Sequence, residues 1–173
     1  MLRGPDTDAE FTEFLAARSA QLYRSAYLLT TSPQAAEDLL QTALAKTYAA
    51  WARVRRADDP VAYVHGVLIK TFLSERRRRS SSELPVADPA LLGRTDRAPT
   101  APDPTDRVAL MTVLARLAPL DRAVVVLRFW EDRSVAQTAT DLELSEAAVK
   151  NRSLRALRTL REHLAEPTHN GSI

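Results

Sequence analysis

Residues 134–164 read SVAQTATDLELSEAAVKNRSLRALRTLREHL, and this stretch decides the fold. Ser134 with Gln137 three positions on has the form of a capping box, in which each satisfies a free N–H of the other's residue. The spacing predicts a short helix carrying Ala139 and Leu142 that stops near Glu143. Leu144 follows, and Ser145 stands as the cap of a second helix. In that second helix Val149, Ala156, Leu157, Leu160 and Leu164 mark a buried side, while Lys150, Asn151, Arg152, Arg155, Arg158 and Arg161 fill most of the rest. A short helix, a tight turn and a basic helix is the grammar of a helix-turn-helix. The second helix has the width of a major groove, and its N-terminal residues are the ones that reach base edges. For the basic helix alone, a solvated Arg face on a surface helix is an equal reading. The paired caps around one turn favour nucleic acid. Glu143 stands at the turn position that Gly often fills, and a positive φ there costs a Glu about 1 kcal/mol.

Upstream, Leu117-Ala118-Pro119-Leu120 leads into Val124-Val125-Val126-Leu127. The valine run has strand propensity, but Leu120, Val124, Leu127 and Phe129-Trp130 fit a short buried helix after Pro119. Further upstream, Ser80-Ser81-Ser82 precedes five prolines at 85, 89, 99, 102 and 104. Such composition predicts a semi-extended linker over 80–103 rather than regular structure. Beyond it, Phe11, Phe14, Leu15, Leu22, Tyr23, Ala26 and Tyr27 recur at helical spacing. Ser32-Pro33 gives a cap and a first-turn proline, and Leu39, Leu40, Ala43, Leu44, Tyr48 and Trp51 continue a second amphipathic helix. Asp58-Asp59-Pro60 opens a third, with Val61, Val64, Leu68 and Phe72 on one face, running into Arg76 to Arg79. The fold expected is all-α. It comprises a helical domain at 8–79, the linker at 80–103, a second helical domain at 104–166 and a mobile tail at 167–173. Domains this small bury only about 60% of their unfolded surface, so a partner holding both makes physical sense.

The net charge of +2 over 173 residues hides an uneven distribution. Residues 52–79 hold eight Lys/Arg against three acids, and residues 145–173 hold five against three; the three remaining segments are acidic. Only three of the 24 basic residues are Lys, and the planar fork of Arg suits phosphates and base edges. With no Cys there is no disulfide framework, thiol catalysis or Cys-based zinc site. His163 and His169 lack metal-ligand spacing. No run of about 18 apolar residues is present, so no membrane insertion is expected. The opening stretch MLRGPDTDAEF has no apolar core of a secretory leader, and the expected compartment is the cytoplasm. Four glycines form no phosphate loop, and no nucleophile elbow or metal cluster occurs. The chain is therefore expected to be neither an enzyme nor a cofactor or metal carrier.

At this point the whole chain, from Phe11 to Leu164, resembles a bacterial RNA polymerase sigma factor of the extracytoplasmic-function group. Leu117 to Phe129 is similar to that family's approach to its promoter-reading helix-turn-helix. Val149-Lys150, Arg152, Arg155-Ala156-Leu157 and Leu160-Arg161-Glu162 resemble its recognition helix. Ala36-Glu37-Asp38-Leu39-Leu40-Gln41 looks like its polymerase-binding helix. Ala62-Tyr63-Val64, Thr71-Phe72-Leu73-Ser74 and the four arginines look like its minus-10-reading helix, in the pattern of an actinobacterial subgroup. The resemblance implies that Glu37, Asp38 and Gln41 meet the clamp helices of the largest subunit of core RNA polymerase. It implies that the stretch from Arg53 to Asp59 and the following helix capture a base from the opened minus-10 strand. Arg55, Arg56, Lys70 and Arg76, Arg77, Arg78 and Arg79 would hold that DNA. Tyr63 either packs in the core or stacks on an unpaired base. Glu146, Lys150, Asn151, Arg152 and Arg155 would meet the minus-35 duplex, base and phosphate contacts being left undivided. The second domain would also approach the polymerase flap region, and an anti-sigma protein is a common partner in the family.

The chain departs from the subgroup at several places. His65-Gly66 stands where two Arg are frequent, Lys70 where Asn is usual, Thr42 in place of an acid, and Thr138 where an aliphatic residue is common. Ser153-Leu154 is also atypical. The competing readings are a stand-alone helix-turn-helix regulator, which needs no polymerase, and a helical adaptor. The first leaves the helix bearing Glu37 to Gln41 without a role.

Overall fold

The structure, a computed structural model, describes residues 5–82 and 104–165. The expected linker beyond Ser82 and the expected tail lie outside the described residues. The chain divides into two compact units, one within Met1–Leu91 and the other within Leu92–Ile173. Among the described residues every regular element is helical.

The first unit holds α1 (Pro5–Thr30), α2 (Pro33–Ala49), the short α3 (Trp51–Val54) and α4 (Pro60–Ser82). α1 packs on α2 and α4, and α2 on α4. The Ser32 hydroxyl accepts from the Ala35 amide at 3.4 Å, with Pro33 in the first turn. Asp59 starts α4 by accepting from the Ala62 amide at 3.0 Å. The second helix was expected to continue through Trp51, but it ends at Ala49 and α3 begins after Ala50. That break turns Trp51 and Val54 inward, where both are buried with Phe11, Leu22 and Val64. Phe11 meets Tyr48 and Trp51 at centroid distances of 5.0 and 5.1 Å, the second pair edge to face. Phe14 meets Trp51 at 5.2 Å. Such geometry adds about 0.5–1.5 kcal/mol per pair beyond the area buried.

The linker expectation is corrected at its start: Ser80, Ser81 and Ser82 are the last residues of α4. The hydroxyls of Ser80 and Ser81 donate back to the Arg77 and Arg78 carbonyls, both at 3.0 Å.

The second unit holds α5 (Pro104–Arg116), α6 (Pro119–Val125), α7 (Val135–Leu142) and α8 (Glu146–Ala165). α8 packs on α5, α6 and α7. The valine run is helical, as expected, and Val124 forms a core cluster with Ala139 and Val149. The expectation fails at its end. Val126–Trp130 forms a π-helical turn in which the Glu131 amide donates to the Val126 carbonyl at 2.9 Å. The wider turn shifts the register, so Phe129 and Trp130 face outward, 52% and 49% exposed, rather than into the core. Leu164, expected on the buried side of α8, is also exposed, in a last stretch of the helix where only His163 among residues 161–165 is partly buried.

Candidate nucleic-acid interface

The turn between α7 and α8 sets the recognition helix. Ser134 and Gln137 close the capping box, with the Ser134 hydroxyl accepting from the Gln137 amide at 3.1 Å and the reverse bond at 2.9 Å. α7 ends in a Schellman motif. The Leu144 amide donates to the Ala139 carbonyl at 2.9 Å, the Glu143 amide to the Thr140 carbonyl at 3.3 Å, and Glu143 is left-handed with φ 56°. The Ser145 hydroxyl then caps α8 by accepting from the Ala148 amide at 3.1 Å. The turn therefore has the positive φ that made Glu143 conspicuous in the sequence. It leaves Glu146, Lys150 and Asn151 exposed in the first turns of α8, opposite buried Val149.

Arg152 and Arg155 lie one turn further along and have a partner that sequence reasoning missed. Asp121, in the first turn of α6 and 5% exposed, receives both. Arg152 Nη1 donates to Asp121 Oδ1 at 2.6 Å. Arg155 grips the same carboxylate with two nitrogens: Nη2 lies 2.8 Å from both oxygens and Nε lies 3.1 Å from Oδ2. The hydrogen bonds and charge of Asp121 raise the Arg155 guanidinium above its already high pKa. Asp121 stands 31 positions before Arg152 in the chain, so no local spacing announces the contact. Its neighbour Arg122, also buried, donates from Nη2 to the Ala115 and Leu117 carbonyls at 3.1 and 3.0 Å, closing the end of α5.

The first unit carries two faces of opposite charge. On α2, Glu37, Asp38 and Gln41 are all exposed, opposite buried Ala36, Leu39 and Ala43. Gln34 Nε2 donates to Asp38 Oδ1 at 3.2 Å one turn before. At the other face, Ala52, Arg53, Arg56, Ala57 and Tyr63 line an open cleft of about 520 Å³. Tyr63 packs against the aromatic core, the first of its two expected settings, and also lines the cleft. Arg55 is not among the lining residues; Nη1 pairs with Glu10 Oε2 of α1 at 2.8 Å. Arg53, at the start of the stretch expected to capture a base though not singled out within it, does line the cleft.

Along α4, Lys70 is exposed, as are Arg77, Arg78 and Arg79. Arg76 differs from them. Its guanidinium lies 5.6 Å from the Phe72 ring centroid and is half-buried. Burial, and after it the charge of Arg79, lowers its pKa. His65 is buried in the first unit, in keeping with a packing role. A Cβ added at Gly66 would meet nothing within 4 Å, so packing does not demand glycine there. Among the described residues no cluster of His, Asp and Glu is placed to hold a metal ion, and no helix is long and apolar enough to cross a membrane.

Family models match both units: sigma-70 region 2 over residues 15–82 and sigma-70 region 4 over residues 107–160. Over 161 residues the chain is 42% identical to an RNA polymerase sigma-E factor of Streptomyces coelicolor, covering 90% of this chain and 86% of that one. The chain belongs to the sigma-70 family. Its relatives include the extracytoplasmic-function sigma factor SigL of Mycobacterium tuberculosis, 31% identical over 160 residues, covering 86% of this chain and 85% of that one. Among solved structures, the sigma factor RpoE of Bartonella quintana, in complex with the anti-sigma factor NepR, shares the fold. The TM-score is 0.70 at 22% identity, over 91% of this chain and 99% of that one. Within the sigma-70 family the chain is thus a promoter-recognising sigma factor of the extracytoplasmic-function group. Region 2 is carried by α1–α4 and region 4 by α5–α8.

Proposed function

We propose the following division of labour for this sigma factor. Glu37, Asp38 and Gln41 of α2 dock on the clamp helices of the largest subunit of core RNA polymerase. Arg56 and Tyr63, with Arg53, receive a base of the opened minus-10 strand in their cleft. Arg55, Lys70 and Arg76 to Arg79 hold the surrounding phosphates. Glu146, Lys150, Asn151, Arg152 and Arg155 meet the minus-35 duplex. The second unit also contacts the flap region. The chain works in the cytoplasm, directs the polymerase and performs no chemistry itself.

One observation carries this reading: two family regions, in order, fall on two helical units. One unit pairs an acidic face with a basic cleft, and the other presents a basic recognition helix. The exposed Phe129 and Trp130 support a protein partner on the second unit, since apolar patches of this kind mark interaction sites. An anti-sigma protein is a further partner in this proposal, supported by the complexes in which similar sigma factors were solved.

The test mixes the chain with core RNA polymerase and fragmented genomic DNA, then sequences the run-off transcripts. Transcripts from promoters sharing two sequence elements are expected, and they should vanish without the chain. They should also fall at least tenfold with Asp38→Ala and Gln41→Ala together, at unchanged helicity. Specific duplex binding by the chain alone, with no transcripts, would overturn the reading in favour of a stand-alone regulator.

A further inference from the structure

The carboxylate beneath the recognition helix has no place in the division of labour above. It is almost fully buried, sits on a different helix, and engages two of the five residues assigned to the minus-35 element. Each oxygen of Asp121 takes two contacts, so its acceptor positions are filled by these two arginines. Arg155 spends its Nε and Nη2 edge inward. Its side chain nonetheless remains 60% exposed, against 30% for Arg152. A guanidinium has five N–H donors in a rigid fork, so a fork held along one edge presents the other at a fixed place.

We propose that Asp121 is a positioning residue for promoter specificity. It anchors the inner edge of Arg155 and one amino group of Arg152, so that only their remaining donors meet DNA, in one orientation for Arg155. It also offsets part of their charge, which keeps them from gripping phosphates indiscriminately. Bidentate contacts to base edges depend on orientation, whereas phosphate attraction does not. A held fork therefore favours the correct sequence over any sequence. The proposal rests on the minus-35 reading of α8, and the test separates the two.

Holoenzyme containing Asp121→Asn is compared with wild type on a promoter duplex and on the same duplex with its minus-35 element scrambled. The ratio of the two affinities is expected to fall about tenfold, as for loss of one oriented bidentate contact. Binding of the free full chain to mixed-sequence duplex is expected to steepen in its salt dependence, by about 0.9 in slope for each arginine released to a phosphate. Arg155→Lys keeps the charge but cannot hold two edges. It should lower the ratio with no change in slope, and it carries the test if Asp121→Asn does not fold. Glu162→Gln removes a carboxylate from α8 itself and should leave the ratio where it was.

An unchanged ratio in a folded Asp121→Asn or Arg155→Lys protein would overturn the proposal, leaving Asp121 a structural ion pair. Equal shifts in Asp121→Asn and Glu162→Gln would overturn it too, leaving only net charge. If wild type itself shows no preference for either duplex, the minus-35 reading fails. The salt slope then decides alone: steeper for Asp121→Asn than for Glu162→Gln supports the anchoring, and equal slopes sink it.

Discussion

The two units satisfy their buried polar groups in different ways. In the first, buried hydroxyls bond back along their own helix, as that of Ser153 also does in the second. Thr30, Thr47 and Thr71 donate to the carbonyls of Ala26, Ala43 and Val67 at 2.7–2.8 Å. The second unit buries charge and satisfies it across helices, with Asp121 receiving Arg152 and Arg155, and Arg122 closing α5. Arg133 of the loop before α7 also pairs with Asp141 at 3.0 Å. The apolar residues follow the same division. The first unit gathers its aromatic rings around Trp51. The second has a core cluster of small aliphatic residues, and among the described residues the large apolar side chains left exposed, Val108, Leu110, Phe129, Trp130, Leu154 and Leu164, are all its own. Packing is non-directional and nearly indifferent to salt, whereas charged contacts are neither. The first unit is therefore held together by groups remote from its surfaces. The second is held partly by Arg152 and Arg155, which the proposed function places on DNA, so in that proposal its stability and its function share parts.

The sharpest way to break this comparison is to remove the centre of the aromatic cluster. Trp51→Ala is expected to destabilise the first unit by about 3–5 kcal/mol, the usual range for truncating a buried aromatic. The chain's two tryptophans fall one in each unit, Trp51 and Trp130. In the variant, Trp130 fluorescence reports the second unit alone. Circular dichroism should show an early loss of helix while the Trp130 transition stays in place. A common shift of both signals would mean that the units are not separately stabilised.

Much of this division was legible in the sequence. The caps at Ser32, Ser134 and Ser145 and the turn at Glu143 are local signals, and each matched; the helical periods matched except at Trp51, at Phe129-Trp130 and at Leu164. What escaped was set by groups distant in sequence or by small changes of register. The Asp121 contact spans 31 and 34 positions. The single extra residue in the π turn after Val125 rotates Phe129 and Trp130 outward, which no apolar periodicity announces. In the site, the acidic face of α2 and the basic start of α8 were readable from spacing. The pairing of Arg55 with Glu10 was not readable, because Glu10 lies far away on α1.

A smaller effect sharpens the contrast from the other side. Thr138, in a position where the family commonly has an aliphatic residue, is fully buried and its hydroxyl finds no partner. A buried group left unbonded costs about 1–3 kcal/mol, and valine has nearly the same shape. Thr138→Val is therefore expected to stabilise the second unit by about 1–2 kcal/mol. That corresponds to a rise in its melting temperature of about 4–8 °C per kcal/mol for a domain of this size. Trp130 fluorescence on heating reads it. A fall in melting temperature would mean that the hydroxyl is bonded after all.

The smallest expected effect lies in the turn. Glu143 holds φ 56°, a region that costs a residue with a Cβ about 1–2 kcal/mol relative to glycine. Glycine loses more backbone entropy on folding, which takes back part of that gain. Glu143→Gly should therefore raise the stability of the second unit by about 1 kcal/mol, again read from Trp130. The substitution keeps the Leu144 to Ala139 bond and the packing of Leu144 on the core, so the axis of α8 should stay as it is. Promoter affinity is then expected to rise slightly or not at all. If Glu143→Gly stabilised the unit yet cost sequence discrimination, the strained turn itself would be setting the angle of the recognition helix. Specificity would then be held at two places, the turn before α8 and the carboxylate beneath it.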